Sequence, residues 1–205
     1  MNKIAIYTGT GAYMAKDVEN ILASHNFDYN RLHENDIKQD KLNNYDILII
    51  GGGAIFDIIP ALSKEAIQKI KDFVLKGGKY IGICAGAYIA SSVFTDNEEK
   101  EYRGIGLVET KFKRGKGEKI VEVLFHNCGQ KIKLFYCNGP LIEKIGKDEE
   151  LIASDKTNKI GIIRKDIGKG KVFLFCAHPE GNLFNKITAE QLGSDLFFIK
   201  LLKNK

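Results

Sequence analysis

The stretch that decides the fold reads KYIGICAGAYIA and spans residues 79–90. Its first half is a short apolar run, which is typical of a buried strand. Its second half consists mainly of small residues and predicts a helix over residues 85–92, with no spacer between the two elements. Cys84 stands at the junction, with Gly82 and Gly86 two residues away on either side. A strand that runs through G-x-C-x-G directly into a helix is the pattern of a nucleophile elbow.

An elbow of this kind explains the residue types around Cys84. The nucleophile occupies a sharp, strained turn, and glycines at positions 82 and 86 let neighbouring backbone approach without a Cβ in the way. Cys84 would lie at the N-terminus of the following helix, where the helix dipole stabilises a thiolate. Taken alone, the segment has a second interpretation, a buried structural cysteine in a turn rich in glycine and alanine.

Outward from the elbow, the first half of the chain alternates strands with helices. Short apolar runs and 3.6-residue periodicity are the signals that separate the two. Ser63 is placed to cap one helix, and Gly77 to end it. The pattern predicts strands at residues 3–7, 29–33, 46–50 and 79–83, and helices at residues 12–25 and 63–76.

The second half of the chain is rich in strands. Two alternating runs separated by a turn predict a hairpin. The predicted strands are residues 120–125, 131–137, 151–154, 160–165 and 171–177, and an amphipathic helix is predicted at residues 188–202. This order favours one α/β domain over residues 1–205, with a doubly wound, mainly parallel sheet, antiparallel additions and helices on both faces. Active residues should cluster beyond the carboxyl ends of the parallel strands.

A histidine and a glutamate follow another predicted strand, in the segment CAHPE at residues 176–180. In extended backbone, residues two apart point to the same side, and Pro179 favours extended geometry at His178. Glu180 would then orient the imidazole, and His178 would take a proton from Cys84 and return one to a leaving amine. Alone, His178 is better interpreted as a hydrogen-bonding residue at a strand end. Combined with the elbow, the three residues indicate a Cys84–His178–Glu180 triad.

A third strand ends at the glycine loop, residues 51–53. Attack on an amide carbonyl generates an oxyanion, which backbone N–H groups stabilise. The candidate donors are those of Gly52, Gly53 and Ala85. A glycine turn that merely reverses the chain is an equally good interpretation of the loop alone. A phosphate-binding loop is excluded, because no G-x-x-x-x-G-K-[ST] pattern occurs.

The formal net charge is +5, and its densest cluster is KFKRGKGEK at residues 111–119, called the basic segment below. Such a patch could attract an anionic substrate or nucleic acid. We interpret it as a solvated loop without a nucleic-acid partner, because no nucleic-acid-binding motif accompanies it.

Several features predict a soluble cytoplasmic protein without a membrane partner. The N-terminus lacks the pattern of a signal peptide, and no apolar run approaches the roughly 20 residues of a membrane helix. The four cysteines show neither C-x-x-C spacing nor a zinc-finger pattern, which fits a reduced compartment and predicts no metal site. The sequence contains no cofactor-binding motif.

The elbow followed much later by His-Pro-Glu resembles the class I glutamine amidotransferases. Four stretches resemble, more narrowly, the N-terminal domain of eukaryotic-type biotin–protein ligase, which also occurs as a stand-alone bacterial protein. These are IYTGTG at 6–11, GGG at 51–53, GGKYIGICAGAY at 77–88 and YCNGP at 136–140. The resemblance implies a flavodoxin-like amidotransferase fold with Cys84, His178 and Glu180 at the triad positions. Tyr88 and Asn138 become candidate ligand contacts.

The implied function is a hydrolase or amidotransferase that acts on an amide C–N bond of a small molecule through a thioester, with a synthetase or ligase as a candidate partner. Glutamine-using relatives follow the elbow with His-Gln, whereas this chain has Ala87-Tyr88, so glutamine itself is not implied. The resemblance does not include a biotin-ligating catalytic domain. The alternative is a non-catalytic ligand-binding or regulatory module. A redox-responsive thiol protein ranks last, because it would not need His-Pro-Glu.

Overall fold

The computed structural model describes residues 2–203 as fifteen strands and seven α-helices. The strands are β1 Ile4–Tyr7, β2 Tyr29–Leu32, β3 Ile47–Ile50, β4 Lys79–Ile83, β5 Val93–Thr95, β6 Glu101–Arg103, β7 Lys111–Arg114, β8 Glu118–Phe125, β9 Lys131–Cys137, β10 Pro140–Lys144, β11 Glu149–Ser154, β12 Gly161–Ile167, β13 Gly170–Phe175, β14 Gly181–Asn182 and β15 Ile187–Thr188. The helices are α1 Ala15–Ser24, α2 Glu34–Lys38, α3 Ile55–Ala61, α4 Lys64–Leu75, α5 Ala85–Ala90, α6 Ala189–Leu192 and α7 Asp195–Lys203.

Nine strands form the main sheet, in the order β2-β1-β3-β4-β13-β12-β11-β8-β9. From β2 to β13 every pairing is parallel, and from β13 to β9 every pairing is antiparallel. The predicted doubly wound α/β sheet with antiparallel additions is therefore confirmed. The predicted hairpin is the β8–β9 pair, at the far edge of the antiparallel half.

The parallel strands β1, β3 and β4 are buried along their whole length. Every residue of β1, β3 and β4 is buried, so both faces of these strands are covered. Fully apolar strands without alternation are what a sheet layered between helices requires. One buried apolar cluster extends from Ile4 to Leu202, and the organisation of residues 1–205 as a single domain stays a prediction. Within residues 2–203, no helix combines the length and apolar character needed to cross a lipid bilayer.

The register of three parallel strands brings the predicted site together. Gly82 of β4 pairs with Ile50 of β3 on one side and with Leu174 of β13 on the other. Since these strands are parallel, the glycine loop, Cys84 and the segment that leads to His178 all leave the same edge of the sheet. This is the edge at which α/β folds place their ligands.

A smaller sheet, in the order β10-β7-β5-β6, was missed by the sequence interpretation. It corrects our interpretation of the basic segment as a solvated loop, because residues 111–114 form strand β7. Phe112 is fully buried, while Lys111 and Arg114 are exposed. Phe112 is surrounded in the sequence by lysine and arginine residues, so the pattern indicated a solvated loop and not a strand with one buried side chain.

The single helix predicted at residues 188–202 is also wrong, because the chain forms two helices there. Thr188 caps α6 in a capping box with Gln191. The helix then ends at Gly193, whose φ of 68° is left-handed, and α7 begins at Asp195. Glycine adopts this conformation at little cost, which makes it the usual residue just after a helix.

We expect Gly86→Ala to destabilise the protein by about 3 kcal/mol or more, because overpacking against fixed backbone cannot relax through a side chain. A Cβ at Gly86 would lie 2.0 Å from the carbonyl oxygen of Ile50. Urea denaturation followed by circular dichroism measures the change. The control is Gly129→Ala, where nothing lies within 4 Å and only the left-handed φ of 70° is unfavourable. A cost of about 1 kcal/mol is expected for the control, and equal losses would contradict the packing argument.

Candidate active site

Cys84 occupies a strained backbone turn between β4 and α5. Its φ of 51° and ψ of −100° lie outside the regions favoured by L-residues. The turn is held from behind, because the Cys84 N–H donates to the carbonyl of Phe175 at 2.9 Å. A Cβ at Gly82 would lie 2.5 Å from the carbonyl oxygen of Gly86. The glycines of the predicted elbow are therefore required by close backbone approach. Cys84 itself is 8% exposed.

His178 and Glu180 form a buried pair just beyond β13. The His178 Nδ1 atom lies 2.8 Å from Glu180 Oε1, and both side chains are fully excluded from solvent. The backbone of His178 is fixed to strand β9, since its N–H donates to the Phe135 carbonyl at 2.8 Å and its carbonyl accepts from the Phe135 N–H at 3.3 Å. The second ring nitrogen, Nε2, has no hydrogen-bond partner within the described part of the chain. The pair thus presents an oriented imidazole with one nitrogen available.

The charges around His178 favour the imidazolium form. Burial alone would lower the pKa of His178, but the carboxylate of Glu180 and the sulfur of Cys84 oppose this effect and raise the pKa well above its ordinary value. Because Cys84 is among these causes, the structure brings its thiol within electrostatic reach of the ring. A thiolate and an imidazolium stabilise each other in such a site.

The thiol is directed at a backbone carbonyl in this conformation. Cys84 Sγ lies 3.6 Å from the carbonyl oxygen of Cys137, which accepts its S–H. His178 Nε2 has no hydrogen-bond partner in the described part of the chain, so Sγ is not hydrogen-bonded to it. Catalytic hydrogen bonds in unliganded enzymes are often long or poorly aligned, so this geometry is compatible with a nucleophile–base pair.

The glycine loop lies against Gly86 of α5 and against the ring of His178. Gly51 accepts a hydrogen bond from the Gly86 N–H at 3.2 Å, and a Cβ at Gly52 would lie 2.8 Å from His178 Cε1. The backbone N–H groups of Gly52, Gly53 and Ala85 donate to no acceptor in the part of the chain that the structure describes. Unpaired N–H groups are the donors that a tetrahedral oxyanion needs, and the assignment of these three to that role stays a prediction.

Tyr88 and Asn138, the two candidate ligand contacts, both form hydrogen bonds within the protein. Tyr88 is buried, and its hydroxyl accepts from the Gly115 N–H at 3.0 Å and donates to the Asn138 carbonyl at 3.4 Å. Asn138 has a φ of 50°, and its Oδ1 accepts from the Gly117 N–H at 2.8 Å. Asn138 is therefore a turn residue beside the site. Contact of Tyr88 or Asn138 with a ligand stays a prediction.

Asp17 is a neighbour of the site that the sequence interpretation missed. This buried residue of α1 accepts from the Leu183 N–H at 2.9 Å. Burial and the charge of Glu180 raise the pKa of Asp17, while the Leu183 hydrogen bond opposes them. A cavity of about 280 Å³ has both Asp17 and Glu180 in its wall. No motif marks Asp17, which occupies an ordinary position in an amphipathic helix, so the sequence held no signal for it.

One group of side chains could offer three ligand atoms to a cation. It consists of His25, Glu190 and Asp195, whose ligand atoms all lie within 4.8 Å of one another. The His25 ring nitrogen is 3.5 Å from Asp195 Oδ2, a distance typical of an ion pair. The group includes none of the triad residues, so the chemistry at Cys84 can be described without it.

We expect the imidazole of His178 to remain protonated at pH values where an ordinary histidine is neutral. Removing the carboxylate with Glu180→Gln should lower the pKa of His178, because the negative charge that stabilises the imidazolium is lost. Titration of the ring nitrogens by NMR measures this, with Glu190→Gln as a control that leaves the pair untouched. An unchanged titration in Glu180→Gln would contradict the assigned electrostatics.

Comparisons with known proteins show the family and the fold. A family model described as "Biotin-protein ligase, N terminal" matches residues 2–118. A biotin–protein ligase of Schizosaccharomyces pombe is 38% identical over 47 residues, which make up 23% of this chain and 7% of the ligase. The alignment thus spans only a small part of that relative.

Two solved structures match nearly the whole chain. A crystal structure of a glutamine amidotransferase has a TM-score of 0.73 at 16% identity, covering 98% of this chain and 99% of the other. The structure of PurLQS from Thermotoga maritima has a TM-score of 0.73 at 19% identity, covering 99% of this chain and 100% of the matched one. At these identities the likeness concerns the fold. With the family match, it shows that this chain belongs to the biotin–protein ligase N-terminal family and has a class I glutamine amidotransferase-like fold.

Proposed function

We propose that this chain is a hydrolase or amidotransferase that cleaves an amide C–N bond through a thioester on Cys84. The observation that carries the proposal is a thiol on a strained elbow together with a buried imidazole, whose Nδ1 lies 2.8 Å from the carboxylate of Glu180 and whose pKa the Cys84 sulfur helps to raise. The roles of nucleophile, base and orienting acid follow from this order.

In the first step, the Cys84 thiolate attacks the carbonyl carbon of the amide, and a C–S bond forms. The N–H groups of Gly52, Gly53 and Ala85 stabilise the oxyanion as it develops. The tetrahedral intermediate then collapses and the C–N bond breaks, while the His178 imidazolium donates its Nε2 proton to the leaving nitrogen. The products of this step are an amine or ammonia and an acyl thioester.

In the second step, neutral His178 takes a proton from water as the oxygen attacks the thioester carbonyl. The C–S bond breaks, the carboxylic acid leaves and the thiolate–imidazolium pair is restored. If another nucleophile replaces water, the acyl group is transferred to it. If ammonia is passed to an acceptor, a synthetase or ligase is the partner that consumes it, and the fold shared with PurLQS supports this arrangement.

The second candidate function is a ligand-binding or regulatory module that keeps the pocket without turnover. Two observations favour such a module. The Cys84 thiol is hydrogen-bonded to the Cys137 carbonyl rather than to His178, and the matching family is described as the N-terminal part of a ligase. Such a module would bind a ligand without cleaving it, and Cys84 would be acylated slowly or not at all.

We expect p-nitrophenyl acetate to acetylate Cys84 with a burst of p-nitrophenolate close to one equivalent, because thiolate attack on this activated ester needs no help for the leaving group. His178→Ala should slow the burst by roughly 100-fold, which is typical of a lost general base. Stopped-flow absorbance measures the burst, and mass spectrometry of the digested protein locates the acetyl group.

Cys84→Ala is the control for background hydrolysis, and Cys176→Ala is the matched control for a buried thiol outside the proposed triad. Acetylation of Cys84 at the same rate in His178→Ala and in the unaltered protein would favour the binding module over the enzyme.

Free glutamine is expected to release ammonia no faster than in Cys84→Ala. The position that holds glutamine in relatives is occupied here by Ala87-Tyr88, and the Tyr88 hydroxyl is already bound by Gly115 and Asn138. A coupled glutamate dehydrogenase assay measures the ammonia. Rapid release that disappears in Cys84→Ala would show that glutamine is a substrate after all.

A further inference from the structure

The basic segment, residues 111–119, is hydrogen-bonded to two residues near Cys84, Tyr88 and Asn138. The Gly115 N–H donates to the buried hydroxyl of Tyr88, which lies one helical turn beyond Cys84. The Gly117 N–H and carbonyl both bond to Asn138, at 2.8 and 3.0 Å. Asn138 directly follows Cys137, whose carbonyl accepts the Cys84 thiol. Hydrogen bonds through Asn138 and its neighbour Cys137 thus link the basic segment to Cys84.

Within the described residues the segment has four exposed cations without a carboxylate partner, Lys111, Arg114, Lys116 and Lys119, and two of them, Arg114 and Lys116, flank Gly115. Arg114 and Lys116 form no ion pair among residues 2–203. The Arg114 guanidinium lies over the ring of Phe56, 5.7 Å from its centre, a contact that holds the group without neutralising it. The acid in the segment, Glu118, accepts instead from Asn185 and from the Cys137 thiol.

The backbone of the turn that carries Lys116 is shaped by a glycine on each side. Gly115 is buried, and a Cβ there would lie 1.6 Å from the Tyr136 hydroxyl. Gly117 has a φ of 96°, which glycine adopts readily. A glycine on each side therefore allows the chain to turn tightly against the site, with the lysine at its tip and open to solvent.

We infer that the site takes a substrate that carries an anionic group, a carboxylate or a phosphate, on the part of the molecule away from the scissile amide. Arg114 offers a planar fork of donors suited to such a group, and Lys116 adds a point charge. This inference rests on the proposed function and names the substrate class for it. The two cations bind the anionic group and take no part in bond making or breaking.

The test compares alkylation of Cys84 by iodoacetate and by iodoacetamide. In both reactions the sulfur forms a bond to carbon and iodide leaves, so the reagents differ chiefly in charge. The ratio of the iodoacetate rate to the iodoacetamide rate reports the electrostatic potential at the thiol. Mass spectrometry of the labelled peptides gives both rates for Cys84, with exposed Cys128 as the internal reference.

We expect the double variant Arg114→Gln, Lys116→Gln to lower this ratio by about threefold, since removing two unit charges weakens the attraction of the anionic reagent. Raising the salt to about 0.5 M should shrink the difference between the two proteins, because exposed charges are screened. Lys111→Gln is the matched control. Lys111 is an exposed cation at the opposite end of β7, three residues from Arg114.

A ratio unchanged in the double variant, or lowered equally by Lys111→Gln, would overturn the inference. A different result would contradict the proposed function. In that result iodoacetamide alkylates Cys84 no faster than Cys128, and His178→Ala leaves the alkylation rate of Cys84 unchanged. The two failures are distinguishable, since the ratio cancels the intrinsic reactivity of the thiol. Circular dichroism confirms that the exposed substitutions leave the fold intact.

Discussion

The close approach of α5 to strand β3 is the constraint on which the rest of the structure depends. Gly86 faces the Ile50 carbonyl so closely that a Cβ would lie 2.0 Å from the oxygen, and the Gly86 N–H bonds to Gly51. This contact sets the start of α5 against the end of the neighbouring strand. The strained φ of Cys84 is the result, because the chain must turn from β4 into the helix within one residue.

The opposite side of the site depends on a different kind of support. His178 lies beyond the end of β13 and is joined by two backbone hydrogen bonds to Phe135 of β9, the edge strand of the antiparallel half. The parallel half thus provides the thiol and the candidate oxyanion donors, while the antiparallel half fixes the imidazole. Backbone contacts to strands of the main sheet hold both, and rigid elements of this kind keep the geometry of a site.

Much of this arrangement is visible in the sequence, for physical reasons. Buried strands such as β3 and β4 have no alternation, and the glycines at 82 and 86 are needed wherever a backbone passes at close range. The placement of Cys84 and His178 at one edge of the sheet followed from parallel strands that end there. The smaller sheet was missed because its strands are short and its anchor, Phe112, lies among lysines. Asp17 was missed because burial beside Glu180 is a property of the tertiary structure alone.

The order of strands in the main sheet has a consequence for how the molecule is made. β13 comes late in the chain, yet it lies in the middle of the sheet, between β4 and β12. The region matched by the ligase-type family, residues 2–118, contains Cys84 and the glycine loop but ends before His178 and Glu180. A nascent polypeptide therefore contains Cys84 well before it contains His178. The two residues share one edge of the sheet only after β13 has inserted beside β4, so this late strand links the two halves of the candidate site.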